Sequence, residues 1–257
     1  MNNKLFVILG NQLFDPEHLA KNDYKNIFML EDYGLCTFQK HHKLKLYLYL
    51  TAMREYRDEI KKYGFDISYT QLDERKDRKS YAEFLVSYLN KNGINKVGFF
   101  EIEDKSFERD LIASLKKNKI DFDIHQSPMF LFTRDEFAEL NMNKERFRMA
   151  GFYQKGRKKF KILINKDGEP KGGKWSFDEE NRKKIPKGLG LPKMLTFKNS
   201  KYHNEICELI NIHFKDHPGD LSNPWFPVKR SDAISHLKNF IDERLHNFGT
   251  YEDAMIK

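Results

Sequence analysis

Two short polar stretches stand directly after apolar runs near the amino terminus: "GNQLF" (10–14) after "KLFVIL", and "EDYG" (31–34) after "NIFML". Gly10 permits a tight turn, Asn11 and Gln12 each carry a donor and an acceptor, and Glu31 and Asp32 can accept from a ring N–H or a sugar hydroxyl. Such residues just beyond strand ends suit a polar, planar or sugar-bearing ligand, and they equally suit polar turns that cap strands and helices. Their spacing is neither a GxGxxG fingerprint nor a Walker loop, so neither known phosphate cradle is expected. His41 and His42 open a long helical pattern, where imidazoles can cap; no third ligand stands at a recognisable spacing, and no metal site is expected. Cys36 and Cys207 are too few and too far apart for a zinc site, an iron–sulfur cluster or a disulfide framework. No GxSxG elbow or Cys–His signature marks a hydrolase, and no catalytic residue is assigned.

A second kind of chemistry lies further along. Residues 144–201 hold 18 Lys/Arg against 6 Asp/Glu, while the whole chain of 257 residues carries a net charge of +8, so the remainder is net acidic. Phe147, Phe152, Tyr153, Phe160 and Trp175 are interspersed among these cations. A polyanionic backbone with exposed bases would be drawn to that combination, through counterion release and stacking; a lysine-rich solubilising face has the same composition. Within this segment "GEPKGGKWSFDEENRKKIP" (168–186) has no hydrophobic period, yet sets a tryptophan beside two adjacent glycines. It reads either as a binding loop or as a solvated connector.

The elements that must position these residues follow from hydrophobic patterning. "KLFVIL" (4–9), "NIFMLE" (26–31), "FDISYTQL" (65–72), "KVGFFEI" (96–102) and "DFDIH" (121–125) read as strands. Between them lie helices: residues 41–64, buried nearly all round in its first half and stopped by Gly64; residues 80–93, capped by Ser80; and residues 106–118. That alternation predicts an α/β fold, a doubly wound parallel sheet, over residues 1–140. A basic connector is expected over 141–200 and helices over 201–257, at 200–214 and 231–245; Thr133 and Glu136 have capping-box spacing, and residues 143–164 can continue helically. The amino terminus lacks the features of a signal peptide and no apolar run approaches the roughly twenty residues of a bilayer span, so a cytoplasmic protein without membrane contact is expected.

The stretches "ILGNQLFDP", "HHKLKLYLYLTAMREYRDEIKKYGFDISYTQLD", "SPMFLFTRDEF", "RMAGFYQKGRKKFKILINKDGEPKGGKWSFDEENRKKIP" and "ISHLKNFIDERLHNFGTYEDAM" occur in this order. Together they resemble the N-terminal half of the bacterial photolyase-related proteins, cryptochrome/photolyase relatives that include the iron–sulfur bacterial (6-4) photolyases. The resemblance implies a Rossmann-like domain that binds an antenna chromophore, of lumazine type in the iron–sulfur members. It also implies a helical domain holding FAD, a 4Fe-4S cluster and the DNA lesion pocket. FAD and the cluster belong to the complete family member and are not expected in this chain, which reads as about half of such a protein, inactive alone; if it is a fragment or a split-gene product, activity needs a partner, a separate C-terminal FAD-binding half.

Carried over residue by residue, the antenna site falls on Gly10, Asn11, Gln12, Glu31, Asp32 and Leu35, with Tyr49 and Met53 on the long helix. The chain departs from the family at Asn11, where relatives usually read "GDQL", at Leu35, where a relative can carry glutamate, and at the bulky Tyr49. The DNA-contacting residues implied are Arg157, Lys158, Lys159, Lys161, Lys171, Lys174 and Arg182, with Gly172 and Gly173 allowing close approach and Trp175 anchoring the loop on a domain surface. Light-driven DNA repair or blue-light sensing in the complete protein is the implied function. The alternative is a stand-alone chromophore- or nucleic-acid-binding module; a nucleotide-binding enzyme unrelated to light has no phosphate loop here to support it.

Overall fold

The computed structural model describes residues 4–75, 79–141, 146–190 and 192–254. Five strands, β1 (Lys4–Val7), β2 (Asn26–Leu30), β3 (Asp66–Thr70), β4 (Lys96–Phe100) and β5 (Asp121–His125), form one sheet in the order β3-β2-β1-β4-β5. Every pairing is parallel, with Ile27 opposite both Phe6 and Ile67, and Val97 opposite both Leu5 and Phe122. A parallel sheet is covered on both faces, which is why its strands read as continuous apolar runs rather than alternating ones. Leu5, Val7, Phe28, Leu30, Val97 and Phe99 pack on one side beneath α4 (Tyr81–Lys91) and α5 (Lys105–Lys117). Phe6, Ile8, Ile27 and Met29 pack on the other beneath α1 (Pro16–Ala20) and α3 (Lys43–Tyr63). Each such side chain, fully buried, contributes about 1.5–3 kcal/mol. The doubly wound parallel sheet expected from the sequence is the fold.

The 21-residue α3 explains its own apolar pattern. His42 Nδ1 accepts from the Leu44 N–H at 3.1 Å to start it, and Gly64, at φ 102°, ends it in the left-handed conformation that costs glycine nothing. Met53, Tyr56 and Ile60 face the sheet, while Leu46, Tyr47 and Leu50 meet Ile206, Leu209 and Ile210 of α8 (His203–His213). A helix held between a sheet and another helix needs apolar residues on two faces. Ser80 and Glu83 form the capping box that starts α4, and Thr133 and Glu136 form one at α6 (Arg134–Asn141). Three short helices escaped the sequence reading: α1, opened by Asp15 as N-cap, α2 (Tyr33–Thr37) and α10 (Leu245–Tyr251).

Two compact units emerge, Met1–Leu131 with Thr196–Ile234, and Phe132–Leu195 with Ser235–Lys257. The first holds the sheet and α8, a helix the sequence grouped with a separate segment from residue 201 onward. In the second, the helix expected over 143–164 is α7 (Met149–Phe160); residues 142–145 lie outside the described residues. Phe132, Phe137, Phe147, Phe152 and Phe160 gather there, with the Phe132 and Phe152 rings 4.7 Å apart. The remaining helix, α9 (Arg230–Glu243), matches the pattern read over 231–245. Among the described residues no helix is long and apolar enough to cross a membrane.

Candidate functional site

With this strand order the winding of the chain changes sides between β1 and β4, so the switch-point crevice is bounded by residues 10–12 and 101–103. The sequence points to the residues after the first and second strands; β2, however, lies on the side of β1 away from β4. Asn11 is exposed and donates from Nδ2 to Glu103 Oε2 at 3.0 Å, while the fully buried Gln12 donates from Nε2 to the Glu101 carbonyl at 2.8 Å. Ser127 closes the group, its N–H donating to Glu101 Oε2 at 3.1 Å. The Gln12 Oε1 has no partner among the described residues, so a buried acceptor is left at the crevice. Glu101 and Glu103 were missed from sequence, although "EIED" ends the β4 run with the same acidic signature that "EDYG" gives β2.

Glu31, expected to accept from a ligand, is instead fully engaged inside the protein. Its Oε1 accepts from Arg54 Nε at 2.7 Å and the Tyr69 hydroxyl at 2.7 Å, and its Oε2 accepts from Arg54 Nη2 at 2.9 Å and the Leu72 N–H at 2.8 Å. Arg54 and Glu31 side chains are both inaccessible to solvent, and Arg54 Nη1 also reaches Glu205 of α8. Burial opposes the arginine's charge, but the bidentate Glu31 pair outweighs it and holds the guanidinium above its ordinary range. Burial, with Glu31 beside it, pushes the Tyr69 phenol well above its usual value. Asp32 is committed too: one carboxylate oxygen caps α2 through the Leu35 N–H at 2.8 Å and the other pairs with Arg75. Both acids are therefore taken up by the protein itself rather than offered to a ligand.

Gly10 and Met53 form one contact. A Cβ on Gly10 would lie 2.7 Å from Met53 Sδ, so the glycine is what lets α3 approach the β1 loop. Leu35 and Tyr49 are exposed at 43% and 39%, available to a ligand as Asn11 is. Near the same loop, a cavity of about 130 Å³ is lined by Leu13, Ala52, Tyr56, Glu59, Arg230 and neighbouring residues. The buried Tyr56 hydroxyl has no partner among the described residues, and burial raises its pKa. The two thiols are protected: burial, with Asp32 and Glu31 nearby, pushes Cys36 up to about 12, and burial raises Cys207 as well.

The second unit displays its cations. Lys158, Lys159, Lys161, Lys171, Lys174 and Arg182 are all exposed. Lys159 pairs with Glu136, Lys174 with Glu179 and Arg182 with Asp253, whereas Lys158, Lys161 and Lys171 make no ion pair among the described residues. Arg157, grouped with them by sequence, differs. It is buried, stacks 5.0 Å from the Trp175 ring, and donates to the carbonyls of Ile162, Leu163 and Trp175. Its guanidinium is turned inward to shape the loop, so it is no phosphate contact in this conformation. Trp175 anchors the loop as expected, taking Lys158 over its ring at 5.2 Å as well. Gly172 and Gly173 serve turns at φ 81° and 77°, and Gly172 lies close under Phe177.

Residues 6–226 match the family model described as "Deoxyribodipyrimidine photo-lyase-related protein". The chain is 30% identical over 258 aligned residues to a (6-4) photolyase of Agrobacterium fabrum, an alignment covering 99% of this chain and 50% of that protein. It is 27% identical over 191 residues to an uncharacterized protein, R852, of Acanthamoeba polyphaga mimivirus, covering 70% of this chain and 94% of the viral one. The chain thus spans half the length of the photolyase it matches.

Proposed function

This chain belongs to the deoxyribodipyrimidine photo-lyase-related family, and from that premise we propose that it supplies the DNA-contacting and antenna-holding part of a photolyase-like protein. The observation that carries the DNA reading is the set of exposed lysines on α7 and the loop behind it, fixed by a buried arginine and a tryptophan. Lysines without acidic partners are free to replace the counterions of a phosphate backbone, and the paired ones can exchange weak surface partners for phosphates. Binding of this kind is insensitive to base sequence and falls steeply with salt. The test is the affinity of the protein for a duplex oligonucleotide across a salt series, with Lys158, Lys161 and Lys171 all changed to alanine. The variant should bind more weakly on every sequence, and its log–log salt slope should flatten by about 0.9 for each phosphate no longer neutralised. An unchanged slope would leave these lysines as a solubilising face.

A second reading, antenna binding, is favoured by the exposed Asn11, Leu35 and Tyr49 in the first unit. A lumazine-type ring would stack on Tyr49, contact Leu35 and hydrogen-bond to Asn11, while the buried Gln12 holds the loop and Glu31 and Asp32 stay engaged by Arg54 and Arg75. The chromophore would supply near-ultraviolet absorption. Titration with a lumazine should bring its fluorescence and absorption onto the protein, and Tyr49→Ala should abolish that change; no uptake by the unaltered protein would end this role. The two cysteines of this sequence do not furnish the four thiolates of a cubane cluster, so in this reading such a cluster is held by residues outside these 257.

A further inference from the structure

The backbone between α7 and the antiparallel bridge of Ile164 with Pro170 adopts an unfavourable conformation twice in three residues. Lys161 and Leu163 both lie in the left-handed region, at φ 53° and 51°. There Cβ crowds the following carbonyl; glycine avoids that contact and asparagine offsets it with local hydrogen bonds, but leucine does neither. The conformation is held from below. Arg157 donates from Nε to the Ile162 carbonyl at 3.3 Å and from Nη2 to the Leu163 carbonyl, which also accepts from the Lys171 N–H at 2.9 Å. The outcome is that Ile162 and Leu163 stand 48% and 59% exposed. Single exposed aliphatics are ordinary. An adjacent pair forced outward by a buried arginine and a strained leucine, with exposed Lys158, Lys161, Lys171 and Lys174 around it in the sequence, is not.

Resting on the DNA-contact reading above, we propose that Ile162 and Leu163 form an apolar wedge that enters between base pairs of duplex DNA while the flanking lysines hold the phosphates. The charge complementarity of the lysines selects the polyanion as occupant, but lysines alone cannot distinguish one duplex from another. An aliphatic pair can. Inserted side chains unstack a base step, and the cost is least where pairing is already weakened by a mismatch or a damaged base. The wedge therefore gives this chain a preference for distorted duplex over intact duplex. Its rigid presentation matters because a tip free to fold back onto apolar neighbours would not reach the bases.

The experiment uses the full chain and duplexes carrying 2-aminopurine, whose fluorescence rises on unstacking, beside either a matched or a mismatched pair. The wild type should enhance the fluorescence and bind the mismatched duplex about tenfold more tightly. The Ile162→Ser, Leu163→Asn double variant keeps the turn, since asparagine tolerates the left-handed region, and removes the apolar tip. It should lose the enhancement and the preference while keeping the salt slope of the wild type. Salt-sensitive binding by the wild type with no fluorescence change, or an enhancement that survives in the variant, overturns the wedge alone. If the wild type shows no salt-sensitive binding to either duplex, the DNA-contact reading falls and the wedge with it.

Discussion

Arg54 of the first unit is sealed from solvent, with a carboxylate on one edge of its guanidinium and a second on its outer nitrogen, whereas Lys158, Lys161 and Lys171 of the second unit stand in water without an acidic partner among the described residues. The same formal charge thus does two different jobs. A buried cation is tolerable only when its hydrogen bonds are saturated, so it fixes the position of everything bonded to it; an exposed one costs the fold almost nothing and remains available to an external anion. Arg157 crosses this division. It sits in the run "RKK" among exposed lysines, yet behaves like Arg54, bonding three carbonyls and stacking on a ring. In each unit, then, one inward-facing arginine organises the surface that carries the proposed contacts.

If the contrast holds, substitutions should separate by unit and by burial. Arg54→Leu strands the Glu31 carboxylate in the interior and should cost about 3–5 kcal/mol in denaturant unfolding, with Glu31→Leu added to it restoring part of the loss. Arg157→Met leaves carbonyls of Ile162 and Trp175 without their donor and should cost about 1–3 kcal/mol; a loss seen only by local hydrogen exchange around residues 161–175 would confine the effect to the loop. An intermediate case is Asp58. Burial works against its charge, but hydrogen bonds from Lys201, Tyr202 and Arg57 carry it down to about 2. An unfolded aspartate titrates near about 3.9, so this carboxylate's contribution is present above about pH 4 and is lost as pH falls toward about 2. Melting temperatures over that range should fall less for Asp58→Asn than for the wild type. Smallest of all, the Lys158, Lys161 and Lys171 alanine triple should stay within about ±0.5 kcal/mol of wild-type stability, while its DNA affinity drops. A marked loss of stability there would erase the distinction between the two units.

Much of the scaffold was legible because local rules and tertiary needs agree. Continuous apolar runs mark strands buried on both faces, Ser80 with Glu83 and Thr133 with Glu136 mark helix starts, and Gly64 marks a stop. The five-residue helices α1 and α2 were not read, being too short for a period to show, although Asp15 followed by Pro16 is a start signal that can be read. At the site the limits are different in kind. Glu31 announces an acceptor, but nothing in the sequence says that an arginine on α3 will take it. Lys158 and Arg157 are adjacent cations, and only the turn of the helix decides which faces the loop and which faces water. The change of sides between β1 and β4, and with it the roles of Glu101 and Glu103, depends on strand order, which periodicity does not encode.

The first unit is assembled from two separated stretches of chain, with α8 returning to lie on α3 after residues 132–195 of the second unit have intervened. A ribosome delivers these parts in order. The sheet and α3 emerge early with the Glu31 partner of Arg54 already present, while Leu46, Tyr47 and Leu50 stay uncovered, and Glu205 unborn, until α8 is synthesised. For that interval the nascent chain carries an uncovered oily stripe along its longest helix, the kind of transiently exposed surface that favours clumping.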